Sequence, residues 1–260
     1  MDATETVNGL TVTQVDGKIT GLTETLITAS VPEGTTAVSG NVAYVGSEKH
    51  VIAPEKFQTA ARMPSTLTSW VADLSNLTNG YQMFYECSAL TTFIGDLSSL
   101  TDGSTMFNGC TELTTFIGDL SSLTDGSTMF NGCAELTTFI GDLSSLTNGN
   151  SMFSGTNLSL ESIECIADSI CEGYYSTNDT SIGPPTHGEI NITWNSLPSE
   201  TERQALVDEL SRIVDKDWCL TTNGELIPLF DSEKYETYST SVQPLDLDSE
   251  PQTVYYVRKK

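Results

Sequence analysis

The sequence contains a 23-residue segment that occurs three times in succession almost unchanged. The copies occupy residues 83–105, 106–128 and 129–151, and each one begins with Met-Phe. A degenerate copy precedes them at residues 67–82, and the pattern decays after residue 153. A fixed short period of this kind is typical of repeat proteins, in which each unit packs on the next one.

Each unit combines two local patterns. The segment from Met106 to Leu113 has the spacing of a helical or 3₁₀ turn, and the segment from Leu113 to Ile117 is rich in β-branched and aromatic residues. One unit has too little apolar surface to offset the conformational entropy that is lost when it becomes ordered. We therefore predict an α/β repeat fold, a solenoid of about five stacked rungs over residues 67–170.

The pattern Met-Phe-x-x-Cys-x-x-Leu-Thr-Thr-Phe at residues 106–116 resembles the BspA-type leucine-rich repeat, and the resemblance covers residues 83–153. The run Phe116-Ile117-Gly118-Asp119-Leu120 departs from that family, which usually shows Leu-x-Leu followed by Ser-Asn. Members of the family are adhesins and recognition modules on bacterial surfaces, and similar repeats occur in bacteriophage fibre proteins. The resemblance implies a non-enzymatic leucine-rich-repeat solenoid that binds a host surface protein or glycan.

Composition divides the chain into four parts. Residues 1–62 alternate Thr and Val between glycine turns, as in Leu10–Val15, and predict a β-rich N-terminal module. This module either anchors the repeats to another protein or is a small cap without a partner. Residues 63–172 hold the predicted solenoid, residues 173–224 a strand-helix-strand cap, and residues 225–260 an acidic tail that pairs as an edge strand or binds a neighbouring subunit.

The predicted cap has clear local signals. Residues Glu189–Trp194 alternate as a strand, and Ser199–Glu202 has the pattern of a capping box that opens a helix to about Val214. A return strand follows at Trp218–Leu220, so the unit is expected to cover the last rung. The apolar face of the helix consists of Leu206, Leu210 and Ile213.

Alternation along each predicted strand defines a candidate binding face. If the register follows the family, Phe93, Phe116 and Phe139 point inward, and the residues beside them form outward-facing ladders. An exposed apolar stripe usually marks a partner. Two alternatives remain for this stripe. It packs against a sister subunit or a flanking module, or a different strand register buries the isoleucines. The candidate partner-binding face consists of Thr92, Ile94, Asp96, Thr115, Ile117, Asp119, Thr138, Ile140 and Asp142.

The charge of the chain restricts its partners. It has 35 acidic residues against 11 Lys and Arg, a formal net charge of −24, and no Lys or Arg between Arg62 and Arg203. Such a balance argues against nucleic acid and anionic membranes as partners. No segment approaches the roughly 20 apolar residues of a membrane span, so we also expect no membrane insertion.

The Asp and Cys residues that recur in each unit could have a chemical role. Stacked carboxylates such as Asp102 and Asp125 could bind calcium or hydrolyse a glycan, but a glycine follows each, which favours a turn. Identical carboxylates also lack the unlike environments that acid–base catalysis requires. We therefore expect no catalytic residues, no cofactor and no metal. At a further repeated position, Cys87, Cys110 and Cys133 are expected to be buried thiols.

The expected function is that of a bacteriophage virion fibre or host-attachment protein. Residues Met1–Thr6 carry neither a basic region nor an apolar core, which disfavours a secretory signal and favours a virion location. In that setting the N-terminal module contacts other virion proteins, and a homotrimer is possible. The alternatives are an extracellular BspA-type adhesin on a bacterial cell surface and a glycan depolymerase.

Overall fold

The computed structural model describes residues 3–7, 10–15, 18–20, 31–54, 57–58, 61–170, 189–194, 199–216, 218–242 and 252–260. Over these residues the chain is mixed α/β. The strands are β1 (Ala3–Val7), β2 (Leu10–Val15), β3 (Lys18–Thr20), β4 (Ala37–Ser39), β5 (Val42–Val45), β6 (Glu48–Val51), β7 (Ser69–Val71), β8 (Thr92–Gly95), β9 (Thr115–Gly118), β10 (Thr138–Ile140), β11 (Gly149–Thr156), β12 (Glu189–Trp194), β13 (Cys219–Thr222), β14 (Tyr235–Val242) and β15 (Gln252–Lys259). The helices are α1 (Leu160–Ser169), α2 (Arg203–Asp215) and a 3₁₀ helix at Gly224–Leu229.

Strands β7, β8, β9 and β10 are the parallel part of a seven-stranded sheet with the order β10-β9-β8-β7-β4-β5-β6. They pair in register, so that Trp70 lies opposite Phe93 and Phe93 lies opposite Phe116. We call the four strands and the turns that connect them the repeat array. Each unit therefore lies directly on the equivalent residues of the unit before it.

The N-terminal half of this sheet joins the array without a break. Strand β4 is parallel to β7, with Val38 opposite Trp70, and β5 and β6 continue antiparallel. The sheet thus crosses residue 62, where composition places the end of the N-terminal module. Strands β1, β2 and β3 form a separate antiparallel sheet, in agreement with the β structure predicted around Leu10–Val15.

A second ladder of hydrogen bonds runs through the Met-Phe segments behind the strands. The N–H of Phe84 donates to the carbonyl of Met106 at 2.9 Å, and the N–H of Phe107 donates to the carbonyl of Met129 at 2.9 Å. Adjacent units are therefore bonded at the strand and at the Met-Phe segment. This double connection holds each unit in one orientation on its neighbour.

The helical turn expected over residues 106–113 is a series of hydrogen-bonded turns instead. The reason is two backbone positions with positive φ, at Thr105 (56°) and Gly109 (76°). An α-helix needs φ near −63°, so neither position fits a helix. The same positions recur with positive φ one unit later, at Thr128 and Gly132.

Two columns of aromatic rings fill the core of the array. In the strand column, the ring of Phe93 stacks on that of Phe116 with centroids 5.3 Å apart, and in the turn column Phe107 stacks on Phe130 at 5.4 Å. The columns meet edge to face, as in the 4.9 Å contact of Phe93 with Phe107. Phe93, Phe116 and Phe139 are fully buried, which confirms their predicted inward orientation.

Strand β11 connects the array to a second sheet. Its Met152 carbonyl accepts the N–H of Phe130 at 2.9 Å, and β11 also pairs in parallel with β12. The second sheet has the order β11-β12-β13-β15-β14. One strand therefore belongs to both hydrogen-bonded systems.

The predicted strand, helix and return strand near the C-terminus are confirmed as β12, α2 and β13. The Glu202 carboxylate accepts the N–H of Ser199 at 3.2 Å, as in a capping box, but the helix begins only at Arg203, with Glu202 itself at the N-cap. Leu206, Leu210 and Ile213 of α2 are buried. In the C-terminal tail, β15 pairs with both β13 and β14 and therefore lies inside the second sheet, whose edge strand is β14.

Helix α1 covers the edge of β10, where the next strand of the array would lie. The Ser162 hydroxyl donates to the carbonyl of Thr137 at 2.9 Å and accepts the N–H of Phe139 at 2.9 Å. A serine side chain thus satisfies the backbone groups that an edge strand leaves unpaired. Ser159 caps the helix by accepting the N–H of Ser162.

Two neighbouring substitutions on β8 test this arrangement. Phe93→Ala removes a ring packed against three others, and we expect it to lower the free energy of unfolding by about 3–5 kcal/mol. Ile94→Ala removes a side chain on the opposite face, 37% exposed, and is expected to cost about 1 kcal/mol or less. Urea denaturation measures both, and equal losses would contradict the assignment of faces.

Candidate functional site

The outward faces of the array strands carry the predicted ladders. Ile94 and Ile140 are exposed by 37% and 50%, and Ile117 between them is half-buried. Ile140 lies opposite Ile117, and Ile117 lies opposite Ile94. The alternative strand register, in which the isoleucines are buried, is therefore wrong. The phenylalanine before each isoleucine fills the core instead. Thr92, Thr115 and Thr138 lie half-buried on the same face.

The aspartates at the ends of these strands shape the turns that follow. The Oδ1 of Asp96 accepts the N–H of Ser98 at 2.9 Å, and the Oδ1 of Asp119 accepts the N–H of Ser121 at 2.9 Å. Asp142 makes the equivalent bond. An aspartate bonded two residues along the chain forms an Asx turn, which explains why this residue recurs. The three carboxylates remain on the surface.

A second column of polar side chains is arranged differently. Asp102 and Asp125 pair through their backbones, and an Asn lies at each end of the column. The Asn79 amide donates to Asp102 at 2.9 Å, and the Asn148 amide donates to Asp125 at 3.1 Å. The terminal amides thus add a hydrogen bond to each carboxylate, beside the one from the N–H of the second residue along.

We call the outward face of the array strands, with its rows of Thr and Ile, the ladder face. Helix α1 forms a wall beside this face, which the sequence did not predict. Its buried residues Ile163, Ile166 and Ala167 pack into the core, and this spacing of three and four residues is the sequence signal for it. Between the helix and the strands lies an open cleft of about 1050 Å³. It is lined by Ile94, Gly95, Ile117, Gly118, Asp119, Ser121, Ile140, Gly141, Asp142, Glu161, Glu164, Cys165, Asp168 and Ser169.

The cleft has an apolar floor and acidic sides. The floor is the row of isoleucines, and Asp119 and Asp142 follow the strands on which two of them lie. On α1, Glu161, Glu164 and Asp168 lie on the face opposite the buried one. None of the lining residues is basic. Such a surface favours a ligand that combines apolar groups with positive charge.

The structure brings together most of the predicted face. Five of its nine residues line the cleft, namely Ile94, Ile117, Asp119, Ile140 and Asp142. Thr115 lies outside this lining, on the same outward face of its strand. Thr92, Asp96 and Thr138 lie on the same outward faces or strand ends. Among the described residues, no group of three or more His, Cys, Asp or Glu side chains is placed to hold a metal ion.

The thiols of the repeats are buried, as predicted. The Cys110 thiol donates to the carbonyl of Phe84 at 3.0 Å, and the Cys133 thiol donates to the carbonyl of Phe107 at 3.1 Å. Burial raises the pKa of Cys87 to about 11 and also raises the pKa of Cys110 and Cys133 above the ordinary value. These groups therefore remain neutral at physiological pH.

Comparison with known proteins gives a family match over part of the chain. Residues 53–164 match the family model described as Mycoplasma protein of unknown function, DUF285. That family is related to BspA-like repeat proteins, so the match agrees loosely with the resemblance seen in the sequence. No curated protein and no solved structure matches the chain. No helix in the described part of the chain is long and apolar enough to cross a membrane.

Thiol accessibility provides a test of the cleft geometry. Cys165 is half-buried and lines the cleft, whereas Cys87, Cys110 and Cys133 are fully buried with raised pKa values. Because the thiolate is the reactive form, we expect iodoacetamide at pH 8 to modify Cys165 about a hundredfold faster than the other three. Peptide mapping by mass spectrometry measures each site. Comparable rates at all four would contradict the packing described above.

Proposed function

We propose that the chain is a non-enzymatic recognition protein, with a leucine-rich-repeat solenoid of BspA type that presents the ladder face to a macromolecular partner. The observation that carries the proposal is the isoleucine row on the floor of the cleft. Solvent-exposed isoleucines in successive strands are costly to hydrate, and an apolar surface of this kind is typical of an interaction site. The family match over residues 53–164 supports the repeat assignment.

The arrangement of carboxylates supports binding rather than glycan hydrolysis. Hydrolysis by two carboxylates requires one to act as an acid and the other as a base or nucleophile, and therefore requires unlike surroundings. Asp119 and Asp142 are each bonded to the N–H of the second residue along, with distances of 2.9 and 2.8 Å. Their equivalence favours a repeated binding surface.

For the setting, we propose a bacteriophage virion fibre or host-attachment protein first and a bacterial cell-surface adhesin of BspA type second. Both roles place the ladder face against a host surface protein or glycan. In the virion, the N-terminal strands would contact other virion proteins. The matched family is described as being of unknown function, so the order of the two settings rests on the sequence alone.

A pair of substitutions in the ladder tests the recognition role. Thr115→Arg with Ile117→Arg places two long cationic side chains over the centre of the cleft floor. We expect ligands recovered from a displayed peptide library or a glycan array to bind this variant at least about tenfold more weakly than the wild type, because their contact surface is blocked.

The matched control is Thr111→Arg with Ala134→Arg, which adds the same charge outside the cleft lining. This control should bind as the wild type does. Recovery of no ligand at all, or of ligands that bind the ladder variant undiminished, would refute the proposed role of this face. Circular dichroism establishes that both variants keep the fold.

The oligomeric state distinguishes the two settings. A fibre or attachment protein is expected to be an obligate trimer of the chain, whereas an adhesin repeat module is expected to be monomeric. Size-exclusion chromatography with multi-angle light scattering measures the mass directly. A monomer at micromolar concentration would reverse the order of preference.

A further inference from the structure

We propose that the cleft binds a basic, amphipathic polypeptide segment, whose apolar side chains pack on the isoleucine row while its Lys or Arg side chains pair with the carboxylates at the rim. This inference rests on the proposed recognition role and specifies the chemistry of the partner. It follows from the floor of the cleft, from its walls and from the spacing of the repeats.

Glycines keep the floor open beside the isoleucines. Gly95, Gly118 and Gly141 each follow the outward isoleucine of a strand and line the cleft. A Cβ at Gly118 would lie 2.9 Å from the ring of Phe116 and 3.2 Å from the carbonyl of Gly95, so the packing below excludes a side chain here. The result is a shallow apolar trough rather than a filled surface.

The walls select for positive charge. Glu161, Glu164 and Asp168 lie along one face of α1 because they are three and four residues apart. Asp119 and Asp142 form a second acidic rim at the carboxyl ends of their strands, and the lining contains no basic residue to neutralise them. This arrangement repels nucleic acid and anionic lipid.

The nearest described counter-charge lies outside the lining. Arg212 of α2 forms ion pairs with Asp168 and with Glu209. It therefore compensates the end of the acidic wall, whereas Glu161 and Glu164 form no salt bridge with any described residue. These two glutamates are the main contributors of unbalanced negative charge on the helical side of the cleft.

The combination of floor and walls identifies a polypeptide. A small cation would leave the row of isoleucines uncovered, and a neutral glycan would leave the negative charge of the five carboxylates unbalanced. A segment with apolar residues on one side and Lys or Arg on the other satisfies both surfaces. It buries the isoleucines and brings its cations within reach of the acidic rims.

The repeat spacing fits a helical segment that lies along the stack. Neighbouring parallel strands are about 4.8 Å apart, so the three isoleucines span roughly 10 Å. Side chains three and four residues apart on an α-helix are separated by about 4.5 and 6 Å along its axis. Alternate residues of an extended strand are about 6.6 Å apart and match the row less closely.

The probe is a synthetic amphipathic helical peptide with leucines on one face and lysines on the other. Its comparison peptides replace every Lys with Glu or scramble the order of the residues. Binding to the full chain is measured by fluorescence anisotropy at 50 and 500 mM salt. We expect the Lys peptide to bind at least about tenfold more tightly than either comparison, and to weaken by about fivefold or more at high salt because screening reduces the attraction.

Two variants separate the contributions of floor and wall. Ile94→Ser with Ile117→Ser and Ile140→Ser should weaken binding of the Lys peptide by about tenfold or more, because the apolar contact is lost. Glu161→Gln with Glu164→Gln should weaken it by about fivefold and reduce the salt dependence. The matched control, Glu112→Gln with Glu135→Gln, removes two exposed glutamates outside the cleft lining and should leave binding unchanged.

The outcomes separate this inference from the recognition role itself. If the control weakens binding as much as the wall variant does, the peptide responds only to net charge and the inference is overturned. If Lys and Glu peptides bind equally but both are lost on the floor variant, the face is a recognition surface and the cationic partner is wrong. Absence of peptide binding, with library or glycan ligands still lost on the Thr115→Arg and Ile117→Arg variant, likewise overturns the inference alone.

Discussion

The structure depends on backbone hydrogen bonds that join residues 23 positions apart. Parallel, in-register pairing places each residue of β8 against the equivalent residue of β9, and the Met-Phe ladder repeats this constraint behind the strands. Residues of the same type must therefore lie on one another in successive units. The constraint favours phenylalanines, which gain from stacking, and threonines, whose hydroxyls donate to the unit before, as Thr114 does to the carbonyl of Thr91 at 3.0 Å.

The same constraint is unfavourable for charged groups, and the structure shows how the array tolerates them. Asp119 and its equivalents remain at the surface and use one oxygen to form a turn. Asp102 and Asp125 are flanked by asparagine amides that donate to them. No group within the unit covers the outward isoleucines. Stacking therefore produces an apolar row on the outside of the array, just as it produces an aromatic column inside. The candidate surface is a direct product of the repeat.

Sequence reasoning succeeds where one unit determines its neighbours. The period, the buried Phe116 and the outward Ile117 follow from local alternation, and stacking carries them along the array. Prediction from the sequence fails at the two ends of the repeat array. The apolar spacing in α1 indicates a helix, but its position against β10 depends on the contacts of Ser162 with a distant strand. The acidic wall of the cleft was missed for this reason, and so was the pairing of β4 with β7 across the expected boundary.

Helix α1 meets the array through groups that every unit possesses. It contacts the carbonyl of Thr137, the N–H of Phe139 and the carbonyl of Gly141, and the preceding unit carries the same residue types at the same positions. Duplication or deletion of one whole unit in the gene would leave this junction chemically intact. The number of isoleucines in the trough can thus change one unit at a time, so that the length of the surface varies while both ends keep their contacts.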